Sequence, residues 1–139
     1  MPEKILYTAE ALSTGDGRSG HVTTADHRLD FDLAPPKEMG GTGEGTNPEE
    51  LFASGFSACF HSALRVVGRR AKADVDGSTV TGRVSIGPDG PGYGLAVELL
   101  IHLPNVPADT AKDLAAAAHE VCPYSRATRG NIAVDLRIV

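Results

Sequence analysis

The longest apolar segment of the chain extends from Leu51 to Val67. Small and apolar residues lie on nearly every side of its helical projection, so the pattern predicts a helix that is buried almost all round. His61 and Arg65 interrupt the segment, and it falls short of the ~20 apolar residues that a membrane span needs. We therefore predict a core helix, with one stripe formed by Phe52, Phe56, Cys59, Ala63 and Val66.

Three residues mark the start of this helix. Asn47 suits the N-cap, Pro48 suits the first helical position, where its missing N–H would have no partner, and Glu50 stands at the capping-box position. The helix is expected from Asn47 to Ala71. Because Glu50 already fits the capping box, Glu49 is left available for another role.

Alternation of apolar and polar residues predicts strands on both sides of the helix. Three short strands precede it, two more form a hairpin around the turn sequence PDGPGYG, and a last strand finishes the chain. The predicted strands are Ile5–Leu12, His21–Thr24, Arg28–Leu33, Val80–Ile86, Leu95–Leu103 and Ile132–Ile138.

A second helix follows the hairpin, opened by Pro104 and Pro107. Its apolar face repeats at helical spacing through Ala111, Leu114, Ala115, Ala118 and Cys122. Pro123 disfavours the helical conformation for the residue before it, so Cys122 is expected at the helix end, facing the core. The order βββαββαβ predicts an α+β fold with two main helices and a mainly antiparallel sheet, and residues 1–139 are expected to form a single domain.

Two glycine-rich connections stand out before the first helix. GDGRSG, Gly15–Gly20, predicts a tight turn that presents Arg18. Pro35–Thr46 is a long Pro/Gly loop without the Gly-Lys-Ser/Thr ending of a phosphate-binding loop. Loops of this length are functional lids or mobile segments, and the sequence leaves both interpretations open.

Composition narrows the classes of function. With 139 residues, 41% of them hydrophobic, the chain can bury a core of its own. A net charge of −5 without a basic run argues against nucleic acid or an anionic membrane as partner, whereas a small neutral or apolar substrate stays open. No secretory leader is expected, so the cytoplasm is the expected compartment.

The apolar first helix has a consequence for assembly. If two helices pack on one sheet, part of the surface of the first helix stays in contact with water. A large apolar surface of this kind is normally covered. A second copy of the chain provides that cover economically, because a twofold axis brings identical surfaces together. A homodimer is therefore expected.

The two cysteines, Cys59 and Cys122, are both predicted to face inward and could meet. Free cysteines are often inert and buried, so that interpretation stays open beside a catalytic one. A metal site could use His61 and His119 with them, but residues two apart on a helix point ~200° apart, which prevents Cys59 and His61 from chelating one ion. No metal and no cofactor is expected.

Arg18 and Glu49 are the candidates for tuning a cysteine thiolate. Arg18 could equally be an exposed turn residue, and Glu49 a favourable charge in the first helical turn. Ten residues of helix, a rise of ~15 Å, separate Glu49 from Cys59. If Glu49 serves Cys59, it is expected to come from the other subunit or to act through Arg18.

Three segments, GDGRSG, GTNPEELFASGFSACF and VCPYSRATRGNI, resemble the OsmC/Ohr family, and the third resembles its organic hydroperoxide resistance (Ohr) branch. The resemblance spans essentially the whole chain. It implies an α+β fold in an intertwined homodimer that reduces organic hydroperoxides with a reactive and a resolving cysteine. It also implies a lipoylated protein or dihydrolipoamide, not thioredoxin, as the reductant.

Carried over by motif, the resemblance implies that Cys59 is the peroxidatic thiol and Cys122 the resolving thiol, with Arg18 and Glu49 as a polar pair beside the thiolate. The chain departs from the family pattern at Asp16 and at Glu50, where a glycine and a glutamine are common. The apolar neighbours expected to hold an alkyl group near the thiol are Phe52, Phe56 and Phe60. The alternative function is a non-catalytic dimeric protein that binds a small apolar ligand.

Overall fold

The computed structural model describes residues 1–139 and divides into two units, Met1–Pro48 and Glu49–Val139. Each unit builds its own three-stranded sheet, and the α-helices lie in the second unit except for Pro48, the first residue of the first α-helix. No helix has the length and apolarity that crossing a bilayer requires. The class is α+β, as the order of apolar patterns predicts.

The first unit is an antiparallel sheet in the order β1-β2-β3, formed by Ala11–Thr14, His21–Thr24 and Asp30–Asp32. The central strand has the bounds that the sequence predicts. The prediction for Ile5–Leu12 is wrong over residues 5–10, which lie in no strand, and β3 is shorter than Arg28–Leu33. Alternation is typical of a half-buried strand, but backbone pairing with a neighbour is what forms one.

Arg18 lies between β1 and β2 in a short 3-10 helix, Gly17–Ser19. Gly15 and Gly17 adopt positive φ angles of 72° and 63°, a conformation that glycine reaches at little steric cost. The predicted tight turn is therefore present. The loop after β3 contains a second 3-10 helix, Lys37–Met39, and an isolated parallel bridge joins Leu33 to Thr46.

The second unit is built on β4, Thr79–Asp89, and β5, Gly92–His102, which form the predicted antiparallel hairpin. β4 extends beyond the prediction at both ends, whereas β5 begins three residues earlier than predicted and ends one residue sooner. The loop is thereby reduced to Gly90 and Pro91. Gly90 has a φ of 56°, which favours glycine at this position. The last strand, β6, Val134–Ile138, pairs in parallel with β5 and starts two residues later than predicted.

Three helices complete the second unit: α1, Pro48–Arg70; α2, Ala108–Val121; and α3, Pro123–Thr128. The bounds of α1 agree with the prediction to within a residue at each end. Cys122 separates α2 from α3 with a ψ of 123°, as expected for the residue before a proline. Helix α3, in which Pro123 occupies the first helical position, is not among the elements predicted from the sequence.

The core of the second unit lies between its helices and its sheet. Helix α1 contributes a stripe at intervals of three to four residues, α2 contributes small side chains, and β5 contributes large aliphatic ones. The buried set is Phe56, Phe60, Ala63, Leu64, Val75, Val97, Leu99, Ile101, Leu103, Ala111, Leu114, Ala115, Ala118 and Cys122.

Burial of α1 on all sides is not observed in the single chain. Its opposite face, residues Ser54, Ala58, Ser62 and Val66, is exposed. Val66 is therefore not part of the buried stripe, contrary to prediction. A helix that packs on one sheet buries one face, so the remaining small and apolar residues have no cover within this chain.

Candidate active site

The two cysteines meet in the second unit. The Sγ atoms of Cys59 and Cys122 lie 3.5 Å apart, and both are free thiols. Cys122 is fully buried, whereas Cys59 is half-buried. The pair therefore joins a cysteine that keeps some exposed surface to one that has none.

The local sequence explains both positions. Cys59 follows Phe56 on the face of α1 that packs on the core, so helical spacing turns its side chain inward. Cys122 remains tied to α2 by a hydrogen bond of 2.9 Å from its N–H to the carbonyl of Ala118, while Pro123 forces the chain to turn immediately afterwards. This turn places Cys122, the candidate resolving thiol, next to Cys59 in the middle of α1.

Burial is the largest influence on the Cys59 thiol and raises its pKa above the ordinary value. The neighbouring Cys122 also raises it, whereas a hydrogen bond from the backbone N–H of Tyr124 lowers it. The net direction is upward, opposite to the effect that a nearby arginine would have. A reactive thiolate at this position therefore depends on donors and cations that outweigh its partial burial.

An aromatic cluster lies along the face of α1 that carries Cys59. The rings of Phe52 and Tyr124 are stacked, with centroids 6.0 Å apart and planes inclined by 20°. Phe56 meets both rings edge-on, with centroid distances of 5.8 Å. Phe56 is fully buried, but Tyr124 keeps 40% of its surface exposed. Phe52 and Phe56 precede Cys59 by seven and three residues in α1, so this cluster, Phe52, Phe56 and Tyr124, lies on the same side of the helix as the half-buried cysteine.

Tyr124 and Gly55 are the two members of the site that the sequence analysis does not identify. Tyr124 lies two residues after Cys122, inside a motif that the resemblance already singles out. Gly55 interrupts an apolar helix, and a glycine at such a position often indicates the close approach of another group. Both signals are present in the sequence, but only the structure shows that they concern the same contact.

Phe60 occupies a different place from the other two phenylalanines predicted to hold substrate. Its side chain is fully buried in the core, between α1 and the sheet, and it makes no ring contact with the aromatic cluster. Phe56 is also fully buried, so neither of these two rings has a face for an alkyl group in this conformation. Of the three phenylalanines, only Phe52 keeps exposed surface.

Arg18 and Glu49 lie on separate units. Arg18 belongs to the 3-10 helix of the first unit, and Glu49 lies in the first turn of α1, ten residues before Cys59. Acidic side chains are favourable in a first helical turn, where they face unpaired backbone N–H groups. Their association with the thiolate stays a prediction from the resemblance.

The two histidines near the cysteines in sequence have polar partners of their own. His61 Nε2 lies 2.9 Å from Ser78 Oγ, and His119 Nδ1 lies 2.8 Å from Ser125 Oγ. Partial burial is the main cause that lowers the pKa of each imidazole. No three His, Cys, Asp or Glu side chains come close enough together to hold a metal ion.

Comparison with known proteins adds sequence relationships to this geometry. Residues 41–137 match the family model described as OsmC-like protein. The organic hydroperoxide resistance protein of Xanthomonas axonopodis pv. citri is 46% identical, over 99% of this chain and 97% of its own length. The organic hydroperoxide resistance protein OhrB of Bacillus subtilis is 42% identical, over 96% of this chain and 98% of its own length.

Solved structures are similar over the same extent. An organic hydroperoxide resistance protein from Legionella pneumophila superposes with a TM-score of 0.91 at 46% identity, covering 97% of this chain and 98% of its own. The crystal structure of Bacillus subtilis OhrB superposes with a TM-score of 0.88 at 42% identity, covering 97% of this chain and all of its own. Sequence and fold therefore agree on one group of relatives.

Proposed function

The chain belongs to the OsmC-like protein family, with organic hydroperoxide resistance proteins as full-length relatives, and from this premise we propose that it is a cysteine-dependent peroxidase for organic hydroperoxides. The observation that carries the proposal is the distance of 3.5 Å between a half-buried and a fully buried sulfur. An accessible thiol beside a protected one suits a reaction in which the first is oxidised by substrate and the second traps the product.

In the first step the Cys59 thiolate attacks one oxygen of the peroxide bond. A sulfur–oxygen bond forms, the oxygen–oxygen bond breaks, and the alkoxide leaves and takes a proton to become an alcohol. The sulfur is oxidised to a sulfenic acid, and the hydroperoxide is reduced. Phe52 and Tyr124 keep some exposed surface and contact the buried ring of Phe56. This aromatic cluster, on the side of α1 that carries Cys59, supports an alkyl hydroperoxide as the substrate.

In the second step the Cys122 sulfur attacks the Cys59 sulfenic acid. A disulfide forms and the hydroxyl group leaves as water, which protects Cys59 from irreversible oxidation. The two sulfurs need to approach from 3.5 Å to the ~2.05 Å of a disulfide bond. This displacement is small enough to need no unfolding of α1.

Arg18 and Glu49 are proposed to assist the first step, on the resemblance of their segments. At neutral pH, a fall in the thiol pKa from ~8.5 to ~6.5 would raise the thiolate fraction about 25-fold. Because a thiolate of lower pKa is a weaker nucleophile, the net gain in reaction rate would be only about 3-fold. We therefore assign Arg18 mainly to the negative charge that develops on the departing oxygen, where a planar donor group acts most strongly.

A dithiol is proposed to regenerate the enzyme, in agreement with the lipoylated protein or dihydrolipoamide that the resemblance implies. One thiolate of the reductant attacks Cys59, and Cys122 leaves as a thiol. The second thiol of the reductant then releases Cys59 and closes a cyclic disulfide. Attack at Cys59 is favoured because Cys122 has no exposed surface.

A homodimer in the cytoplasm is also proposed. The exposed side of α1 carries Ala58 and Val66, and the first unit exposes Ile5, Leu6 and Tyr7. Apolar surface of this kind is typically covered by a partner, and the resemblance implies a second copy of the chain.

The direct test is turnover of cumene hydroperoxide with dihydrolipoamide, compared with thioredoxin and glutathione. We expect consumption of peroxide by the wild type, none by Cys59→Ser, and a single-turnover reaction by Cys122→Ser. The reduced wild type should lose two thiols per chain when it is mixed with peroxide. Retention of both thiols would contradict the proposal and would favour a non-catalytic protein that binds a small apolar ligand.

A further inference from the structure

One residue of α2, His119, is bonded to both ends of α3. Its ring Nδ1 lies 2.8 Å from the hydroxyl oxygen of Ser125, a fully buried residue in the first turn of α3. Its backbone carbonyl accepts a hydrogen bond of 2.6 Å from the guanidinium of Arg129, the residue that ends α3. A helix of six residues is thereby held at its start and at its end by the same residue.

The bond from Arg129 replaces one that Pro123 removes. In a continuous helix the carbonyl of His119 would accept from the N–H of residue 123, four positions later, but proline has no N–H. This carbonyl would otherwise be one of the unsatisfied acceptors at a helix end. Arg129 supplies a charged donor instead, and hydrogen bonds from charged donors are among the stronger ones in proteins.

The same short helix also touches α1. A Cβ atom at Gly55 would lie only 3.2 Å from Cε2 of Tyr124, so the tyrosine ring packs directly on that helix. Helix α3 therefore links α1, which carries Cys59, to α2, which is followed by Cys122. The distance of 3.5 Å between the two sulfurs depends on how α3 is attached on both sides.

Cys122 lies at the centre of this arrangement. His119 precedes it by three residues and Ser125 follows it by three, so the bond between their side chains spans the extended backbone of Cys122. A change in this backbone conformation would turn α3 relative to α2 and would separate the imidazole from the hydroxyl group. The side-chain bond therefore restrains the angle at which Cys122 presents its sulfur to Cys59.

We propose that His119 is a positioning residue for Cys122. By holding both ends of α3, it keeps the Cys122 sulfur within reach of Cys59. The inference rests on the proposed function, since it assigns His119 to the step in which Cys122 traps the sulfenic acid and releases water. This role requires no proton transfer by the imidazole.

The test removes the side-chain bond from either side and restores it from one. His119→Ala and Ser125→Ala each delete one partner, and neither adds volume to the buried site. His119→Asn is the conservative variant, because the amide of asparagine places a polar atom at the position of Nδ1. His102→Ala is the matched control, since His102 is an exposed histidine of β5 whose Nδ1 lies 3.0 Å from the carbonyl oxygen of Val139.

Arg129 tests the bond at the other end of α3. Arg129→Ala removes the charged donor from the carbonyl of His119. Arg126→Ala removes the same charge from an exposed position of α3 and serves as the control. We expect Arg129→Ala to change the measurements below in the same direction as His119→Ala, and Arg126→Ala to leave them at the wild-type values.

The first measurement uses no peroxide. Each reduced variant is equilibrated with glutathione and glutathione disulfide, so that two protein thiols are oxidised to a disulfide while one glutathione disulfide is reduced to two thiols. The equilibrium constant gives the effective concentration of the two cysteines, which reports how well they are positioned. Loss of one hydrogen bond should lower it about three- to tenfold in His119→Ala and Ser125→Ala. His119→Asn should remain within about twofold of wild type.

The second measurement separates the two steps of the peroxide reaction. Attack of Cys59 on cumene hydroperoxide is second order, whereas the formation of the disulfide is first order and independent of peroxide concentration. Only the first-order rate should fall in His119→Ala and Ser125→Ala, by about three- to tenfold. Dimedone should consequently trap more sulfenic acid on Cys59 in these variants.

A general loss of structure predicts a different result, because it would slow both steps together. Equal losses in the two steps would therefore overturn the positioning role, and so would a wild-type effective concentration in both His119→Ala and Ser125→Ala. Losses in His119→Asn as large as those in His119→Ala would overturn it too. A lower effective concentration in a protein that turns over no peroxide would contradict the peroxidase function and not the positioning of the thiols. Urea unfolding establishes that each variant is folded before it is compared.

Discussion

Cys59 and Cys122 are 63 positions apart in the chain, yet their sulfur atoms lie 3.5 Å from each other. One sulfur projects from the middle of a long helix and the other from the break between two shorter helices. Their burial is unequal, since Cys122 is fully buried and Cys59 is not. This asymmetry separates the proposed roles of the two residues and can be tested on the oxidised protein.

Oxidised protein treated with an excess of 2-mercaptoethanol should carry the mixed disulfide on Cys59. The attacking thiolate reaches the sulfur with exposed surface, and Cys122 is then released as a free thiol. After a brief reaction, N-ethylmaleimide would block the released thiol, and peptide mass spectrometry would locate both modifications. An adduct found mainly on Cys122 would contradict the proposed direction of attack.

Arg18→Lys should lower the peroxide rate by about tenfold or more at equal thiolate fraction. Lysine keeps the positive charge but loses the planar set of donors, which is the property proposed to stabilise the departing oxygen. Rates are compared after correction for the Cys59 pKa, measured by alkylation. Arg28→Lys is the control, because Arg28 is an exposed arginine of the same unit that pairs with Asp26. Equal corrected rates would refute this role of Arg18.

Gly82→Ala should destabilise the protein by ~1–3 kcal/mol, the usual cost of overpacking. A Cβ atom on this residue of β4 would lie 2.5 Å from Ser57 Oγ and 3.0 Å from the carbonyl oxygen of Ala53, so α1 would have to move. Gly87, on the same strand, has nothing within 4 Å of the equivalent position. Gly87→Ala is therefore the matched control, expected within ~0.5 kcal/mol of wild type in urea unfolding. A similar stability for both variants would show that β4 and α1 adjust freely.

His21 should titrate above its ordinary pKa of 6.5. Its ring nitrogens hydrogen-bond to Asp32, at 2.8 Å, and to Asp30, and these bonds are the main causes that raise the imidazole pKa. Thr23 also donates to Asp30, which helps to fix the carboxylate. An NMR titration of the His21 ring protons gives the pKa directly, and a midpoint at or below 6.5 would contradict the arrangement.

The hydrogen bonds of His21 to Asp30 and Asp32 also predict that the stability of the fold depends on pH. A raised folded-state pKa means that the protonated histidine stabilises the fold, fully below pH ~6.5 and progressively less as pH rises through the folded value. The difference in unfolding free energy between wild type and His21→Gln should therefore shrink as the pH increases from 6 to 9. A difference that grows over this range would contradict the sign.

The sequence predicts those elements whose ends are decided locally. Asn47 and Pro48 mark the start of α1, and Pro123 fixes the end of α2, since both effects depend on neighbouring residues only. The N-terminal segment shows the limit of this approach. Ile5–Leu12 alternates like a strand, but residues 5–10 belong to no strand, and their one backbone bond to another segment runs from the N–H of Ala25 to the carbonyl of Glu10. Pairing cannot be inferred from alternation.

The candidate site, like the fold, can be predicted from the sequence only where local patterns decide it. Helical spacing predicts that Cys59 and Cys122 face inward, and the structure places them together. Tyr124 escaped prediction because its contacts are with residues about seventy positions earlier in the chain, and no local pattern reports them. Gly55 carried a usable signal, since a glycine in an apolar helix indicates a close neighbour, but the identity of that neighbour required the fold.

The break at Cys122 determines which of the two sulfurs can travel. Cys59 is fixed by helical hydrogen bonds on both sides, so moving its backbone would disturb a helix of 23 residues. Cys122 bonds to both neighbouring helices, since its N–H donates to the carbonyl of Ala118 and its carbonyl accepts from the N–H of Arg126, but its extended ψ of 123° places it at the junction of α2 and α3. A rotation at this junction displaces the six-residue α3, whereas a displacement of the Cys59 backbone disturbs a helix of 23 residues. Formation of the disulfide bond should move the start of α3, and with it Tyr124. The aromatic cluster would therefore change its arrangement with the redox state of the cysteines.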